Sequence, residues 1–242
     1  MDKSTDQQFA ASVRDELGRD ARLAGRLGGL EIAVRDGRVH LGGVVEELPA
    51  KRIAANVARQ LAGDQFEVLD RLRLVAPRLK APMLARQVIE KLAREETFSD
   101  YVIVLHQEWR ARIMQQPLGA AFGIEVRARR GMVTLAGKVG CENARRLAEV
   151  LAWWVPGCSL VDNQLLVDGP GGESDELLTE AVYGILVRDP LVDARAIEVS
   201  AAAGIVELRG RTPDDESRRR AIRDVWAVPG VWDVYDRISA DA

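Results

Sequence analysis

Three stretches of the 242-residue chain place glycines at the same intervals. Aligned on Gly37, Gly131 and Gly204, each has a second glycine six residues on (Gly43, Gly137, Gly210) and a third twenty residues beyond that (Gly63, Gly157, Gly230). The residues leading into the first glycine read LEIAVRDG, IEVRARRG and IEVSAAAG, with Glu31, Glu125 and Glu198 in register. A chain that repeats itself at this length is expected to fold as three copies of one small unit, not as a single large domain.

Each copy also predicts the same elements. Apolar residues alternate before the first glycine (Leu30, Ile32, Val34; Ile124, Val126; Ile197, Val199). They alternate again after it (Val39, Leu41; Val133, Leu135; Val206, Leu208). Period two around a glycine reads as two strands joined by a tight turn, with one face buried. A helix follows, with acids or proline at its start and inward positions at helical spacing: Ala54, Ala58, Leu61; Ala148, Ala152, Val155; Ala221, Val225, Val228. The helix stops at AG, PG and PG, and a short strand closes the copy (FEVLDRLRL, SLVDNQLLV, VWDVYDRIS). An amphipathic helix such as FAASVRDEL or DELLTEAVYGIL opens it. The expected fold class is α+β: three tandem α-β-β-α-β modules, each a small mixed three-stranded sheet with two helices packed on one face. The modules are placed at 1–76, 77–170 and 171–242, joined by VAPRLKAP (75–82) and VDGPGGES (167–174), where proline, glycine and polar residues gather.

This order resembles the BON domain, a bacterial module of similar length. The resemblance rests on the hairpin GxVxLxG, present as GRVHLGG, GMVTLAG and GIVELRG, with Gly37, Gly43, Gly131, Gly137, Gly204 and Gly210 as its structural turn glycines. It rests also on the alanine-bearing helix and the glycine before the last strand, and it covers nearly the whole chain. It implies a non-catalytic module that binds phospholipid or a membrane surface, in a stress or envelope-related role. Many relatives are exported, whereas MDKSTDQQFAASVRDELG has acids and amides where a secretory signal needs a basic end and an apolar run. The longest apolar runs, YVIVL and LAWWV, fall far short of the ~20 residues of a membrane-spanning helix. The expected location is cytoplasmic, peripheral at the inner membrane surface.

The middle copy is about 21 residues longer, since the first glycines are 94 and then 73 residues apart. The extra residues lie within 98–123. Tyr101, Leu105, Trp109 and Ile113 recur every fourth residue and predict an inserted helix over about 98–119, although YVIVL alone would also suit a strand. Its apolar stripe either packs over a neighbouring repeat or faces a membrane or partner.

Two further features distinguish candidate contact residues. Trp153 and Trp154 align with Arg59 and Gln60, so they are expected to stand off their own module's core, packed between repeats or at a membrane interface. Basic pairs recur eight and nine residues after the second glycine: Lys51 and Arg52, Arg145 and Arg146, Arg218 and Arg219. They read either as a solvated, ion-paired helix face or as attraction to anionic headgroups. With Trp109, these eight residues make the candidate lipid or ligand surface.

Charge narrows the partners. Residues 1–76 carry 12 basic and 12 acidic side chains, residues 77–170 carry 13 and 10, and residues 171–242 carry 9 and 15. The segment charges are 0, +3 and −6, with no broad basic character, so no nucleic-acid partner is expected. The +3 middle module is the candidate for an anionic phospholipid surface. A protein partner or self-association is the competing reading.

No catalytic, cofactor or metal site is expected. There is no phosphate-binding GxxxxGK[ST] loop. The two histidines, His40 and His106, lack convergent ligands. Cys141 and Cys158 sit near opposite ends of one helix, roughly 20 Å apart by helical rise, and are read as free thiols.

Overall fold

The structure is a computed structural model that describes residues 3–26, 28–107, 110–169, 172 and 174–241. The chain divides into two compact units, Met1–Val75 and Ala76–Ala242.

In the first unit, α1 (Lys3–Arg19) precedes a hairpin of β1 (Gly29–Arg35) and β2 (Arg38–Val45). α2 (Leu48–Ala62) leads to β3 (Glu67–Asp70) and β4 (Arg73–Leu74). β1 runs antiparallel to β2, while β3 and β4 both run parallel to it, as one closing strand interrupted after Asp70. Val13, Leu17, Leu23, Val39, Leu41, Ala54, Ala58 and Leu72 meet in the core between helices and sheet. Leu61, expected to point inward, lies exposed. α2 runs on through Ala62, which takes the inward position four residues after Ala58.

The second unit holds two such modules. The first has α3 (Ala81–Arg94), β5 (Tyr101–Gln107), β6 (Arg110–Gln115), β7 (Phe122–Arg129), β8 (Met132–Val139), α4 (Glu142–Trp153) and β9 (Leu160–Val167). The next has α5 (Asp175–Arg188), β10 (Ile197–Ala202), β11 (Ile205–Thr212), α6 (Asp215–Ala227) and β12 (Asp233–Ala240). The sheet orders are β6-β5-β7-β8-β9 and β10-β11-β12. In each module the closing strand runs parallel to the second hairpin strand, reached through a helical crossover. The α+β class and the repeated α-β-β-α-β order are therefore present, with the middle sheet enlarged to five strands.

The enlargement corrects the expected helix. Residues 101–115 form a β-hairpin: β5 pairs parallel with β7, from Tyr101 opposite Phe122 to His106 opposite Arg127, and antiparallel with β6. The reason lies in the period. Every fourth residue shares a face on a strand as well as on a helix, so the recurrence of Tyr101, Leu105 and Ile113 could not separate the two. The alternation within YVIVL decides. Tyr101, Ile103 and Leu105 are buried against the helices, and Val102 and Val104 lie on the open face. Gln115 closes the hairpin by donating to the carbonyls of Phe98 and Tyr101, at 2.6 and 2.9 Å.

The glycine register has a steric cause. Each hairpin turns on a residue pair with positive φ: Asp36 and Gly37, Arg130 and Gly131, Ala203 and Gly204. That is the two-residue turn whose twist matches paired strands. The second glycine marks a close approach of backbones. A Cβ on Gly43, Gly137 or Gly210 would stand 1.8, 2.3 or 1.9 Å from the carbonyl oxygen of Gly29, Gly123 or Ala196, on or just before the facing strand.

Candidate binding surface

Three members of the recurring basic pairs fasten one element to another. Lys51 is 2% exposed and its Nζ meets the Asp70 carboxylate at 2.5 Å. Burial lowers the Lys51 pKa, and the Asp70 charge offsets part of that shift. Arg218 holds the equivalent position in the third module and binds Asp236, in β12, at 2.7 Å. In the middle module the acid is replaced by Asn163, which donates to the Arg145 carbonyl and to Glu149. All three closing-strand residues also accept from a backbone N–H two positions on: Asp70 from Leu72, Asn163 from Leu165, Asp236 from Ile238. This local bond fixes the side chain against the helix, and only in the first module is the closing strand interrupted there. The signal was present in the sequence as LDRL, DNQL and YDRI.

The second members differ. Arg52 is half-buried and Arg219 is bound to Asp215. Arg145 pairs with Glu142 at 2.6 Å. Arg146 is 2% exposed and donates to the carbonyl of Pro229 in the third module, at 3.1 Å. Lys51 and Arg146 are thus withdrawn from any surface, and Arg145, Arg218 and Arg219 are neutralised by nearby acids. Lys51 and Arg218 secure helix to strand and Arg146 secures module to module, whereas Arg145 and Arg219 pair with acids on their own helices.

The tryptophans are half-buried. Trp153 donates to Glu149 at 3.4 Å. Trp154 donates to Asp224 of α6 at 2.8 Å, with Lys91 Nζ 5.7 Å from its ring centre. Trp109 lies outside the described residues.

What the middle module does expose is β6, the outermost strand of the five. Arg110, Ala111, Arg112, Ile113 and Met114 are all exposed, Ile113 by 54% and Leu118 just beyond it completely. Arg127, Arg129 and Arg130 are exposed on and next to β7. Arg110, Arg112 and Arg129 have no ion-pair partner among the described residues, while Arg127 shares Glu125 with His106. Beside β6, a groove of about 620 Å³ runs between the start of α3 (Ala81, Pro82, Ala85) and Gln107, Arg110 and Ala128. The surface therefore combines unpaired guanidinium groups, exposed apolar side chains and an open strand edge. Sequence reasoning placed a membrane- or partner-facing stripe in this segment, but as a helix and without its arginines, because residues exposed on both faces of a strand have no periodic signature.

The other ionisable groups do not suggest a reaction. Burial pushes the Cys158 thiol up to about 12, so it stays protonated. No group of metal-ligating side chains occurs among the described residues, and none of the described helices is long and apolar enough to cross a membrane.

Two solved structures of CdsD, a structural protein of the type III secretion system of Chlamydia trachomatis, one of them its C-terminal domain, align with this chain. The alignments cover 89% and 97% of this chain and 91% and 92% of theirs, with 16% and 15% identity and TM-scores of 0.25. Among curated proteins none matches it. The model of the BON domain matches three times, at residues 5–73, 106–169 and 174–242, and with most of its length covered the chain belongs to the BON domain family.

Proposed function

We propose that the protein is a non-catalytic BON-repeat binding protein that attaches peripherally to anionic phospholipid through the exposed β5–β6 edge of its middle module. The observation that carries this reading is the pairing of Arg110, Arg112 and Arg129, which have no ion-pair partner among the described residues, with exposed Ile113, Met114 and Leu118. Guanidinium groups near an acidic bilayer contribute on the order of 1 kcal/mol each. Their long stems let apolar neighbours reach the acyl boundary while the charge stays among headgroups. The +3 charge of residues 77–170 supports the same placement.

The open edge of β6 supports a second reading, in which a protein partner adds a strand to the sheet. Flotation with phosphatidylserine-containing vesicles distinguishes the two. The double variant Arg110→Ala, Arg112→Ala should bind such vesicles roughly 30-fold more weakly, the effect of two headgroup-facing charges. Unchanged binding would remove this surface from the account, and no binding by the parent protein would leave the partner-strand reading in its place.

A further inference from the structure

In the first and third modules the first hairpin strand, β1 or β10, lies at the edge of its sheet. In the middle module the corresponding strand, β7, is covered by β5. The two run parallel, with Val104 opposite Glu125 and His106 opposite Arg127. The chain therefore shows how a strand is added at this position, and what the other two modules lack there.

The opening helices record the difference. Counted from their first residues, Leu84, Val88 and Leu92 of α3 match Leu178, Val182 and Leu186 of α5, and all six are buried. On the adjacent stripe Ala81, Ala85 and Ile89 match Asp175, Thr179 and Tyr183. This stripe of α3 faces the added strand: Ala81 and Ala85 line the groove with His106 and Gln107 of β5, and Ile89 is 3% exposed. α5 has no strand beyond β10 to cover it, and there Tyr183 is 43% exposed and Val187, one turn on, 56%. In the first module Val13 and Leu17 match Val88 and Leu92, so the residue in the place of Ile89 is the exposed cation Arg14. A charged side chain beside an open edge discourages pairing. The third module has tyrosine there instead.

Charge distinguishes the same edge. Glu125 is met by His106 Nε2 of β5 at 3.0 Å and by Arg127 at 3.4 Å. Its counterpart Glu198 is exposed and has no ion-pair partner among the described residues, since Ser200 stands in the place of Arg127. The −6 charge of residues 171–242 favours a cationic occupant over anionic lipid.

We propose that the β10 edge of the third module, with Tyr183 and Val187 beside it, accepts one strand of a protein partner: an extended segment parallel to β10, apolar at the residues that face α5 and cationic at the residue opposite Ser200, where it meets Glu198.

Main-chain bonds to the edge supply affinity in such a contact, and alternate side chains supply specificity. Ile103 and Leu105 of β5 lie opposite Ile124 and Val126, whose counterparts are Ile197 and Val199, so the inward residues of the partner take the places of Ile103 and Leu105. The site uses neither β6 nor lipid, and it stands apart from the proposed attachment.

The test titrates the full chain into a dye-labelled synthetic peptide with the sequence of residues 100–107, in which His106→Lys supplies the cation, and reads fluorescence anisotropy. The parent chain should bind saturably. Tyr183→Lys places a charge where the first module has Arg14, and Glu198→Lys reverses the charge at the edge. Each should weaken binding by about tenfold or more. Both residues are exposed, so neither substitution disturbs the core. With His106→Glu in the peptide instead, Glu198→Lys should bind more tightly than the parent. No binding by the parent, or undiminished binding by either variant, would overturn the proposal. So would a dimer of the chain that Tyr183→Lys dissolves, which assigns the edge to a second copy, or vesicle binding lost in that variant, which assigns it to lipid.

Discussion

The indole N–H of Trp154 donates to the carboxyl of Asp224 at 2.8 Å, joining helices from two repeats 70 residues apart in sequence. The bond is partly buried, and the second oxygen of its acceptor has no donor among the described residues. Trp154→Phe keeps most of the ring packing and removes the donor. It should destabilise the second unit by about 2 kcal/mol, the usual cost of stranding a buried, partly charged acceptor. Urea denaturation measures this. A loss below about 0.5 kcal/mol would mean that the bond contributes little.

Asp224 also sets a pH dependence. Its pKa is raised on folding from an unfolded value of about 3.9, so the folded state binds the proton more tightly and stability declines as pH rises from about 4 to about 7. Asp189 and Asp20 have lowered pKa values, and their contribution is present above the unfolded value and lost in acid. The combined profile should be highest on the acid side of neutrality. Melting temperatures should show a decline up to about pH 7 that levels off above it and that Asp224→Asn abolishes.

Gly137 tests the close approach of strands. Gly137→Ala would set a methyl group against the Gly123 carbonyl at a φ of 117°, and should cost about 3 kcal/mol or more. Gly18 in α1 has open space around its Cβ position, and Gly18→Ala should stabilise by up to about 1 kcal/mol. Denaturation midpoints moving in the same direction would contradict this contrast.

Ala203 occupies a left-handed turn position at φ 52° that alanine adopts poorly. Ala203→Asn should raise stability by roughly 0.5–1 kcal/mol, because asparagine tolerates that conformation. A lowered melting temperature would show that the turn is held by other means.

Lys51→Ala should destabilise the first unit by about 3 kcal/mol, since Asp70 would be left largely buried without its cation. Lys51→Met fills the same space and should cost less. Neither should change vesicle binding in protein that remains folded, because Lys51 does not reach the surface.

The repeat was legible because its constraints are local. A two-residue turn, a strand pair too close for a Cβ and an inward alanine stripe all recur at fixed spacing, and each leaves a residue type behind. The insertion was misread because a recurrence of four fits both helix and strand, and the alternation of YVIVL received less weight than that spacing. The basic pairs were visible in sequence, but their partners Asp70, Asp236 and Pro229 lie 18 to 83 residues away. Spacing along the chain shows that such a residue recurs, not that it is buried. The exposed edge of β6 contributed only Ile113 to that recurrence and its arginines left no pattern, because neither face of the strand is buried.

Co-sedimentation with anionic and neutral vesicles across a salt series tests the central claim most directly. The account predicts binding to anionic vesicles only, weakening steadily as salt rises, since exposed guanidinium groups lose their attraction to headgroups once the Debye length falls below about 10 Å. Equal binding to neutral vesicles, or no binding to either at low salt, would contradict it.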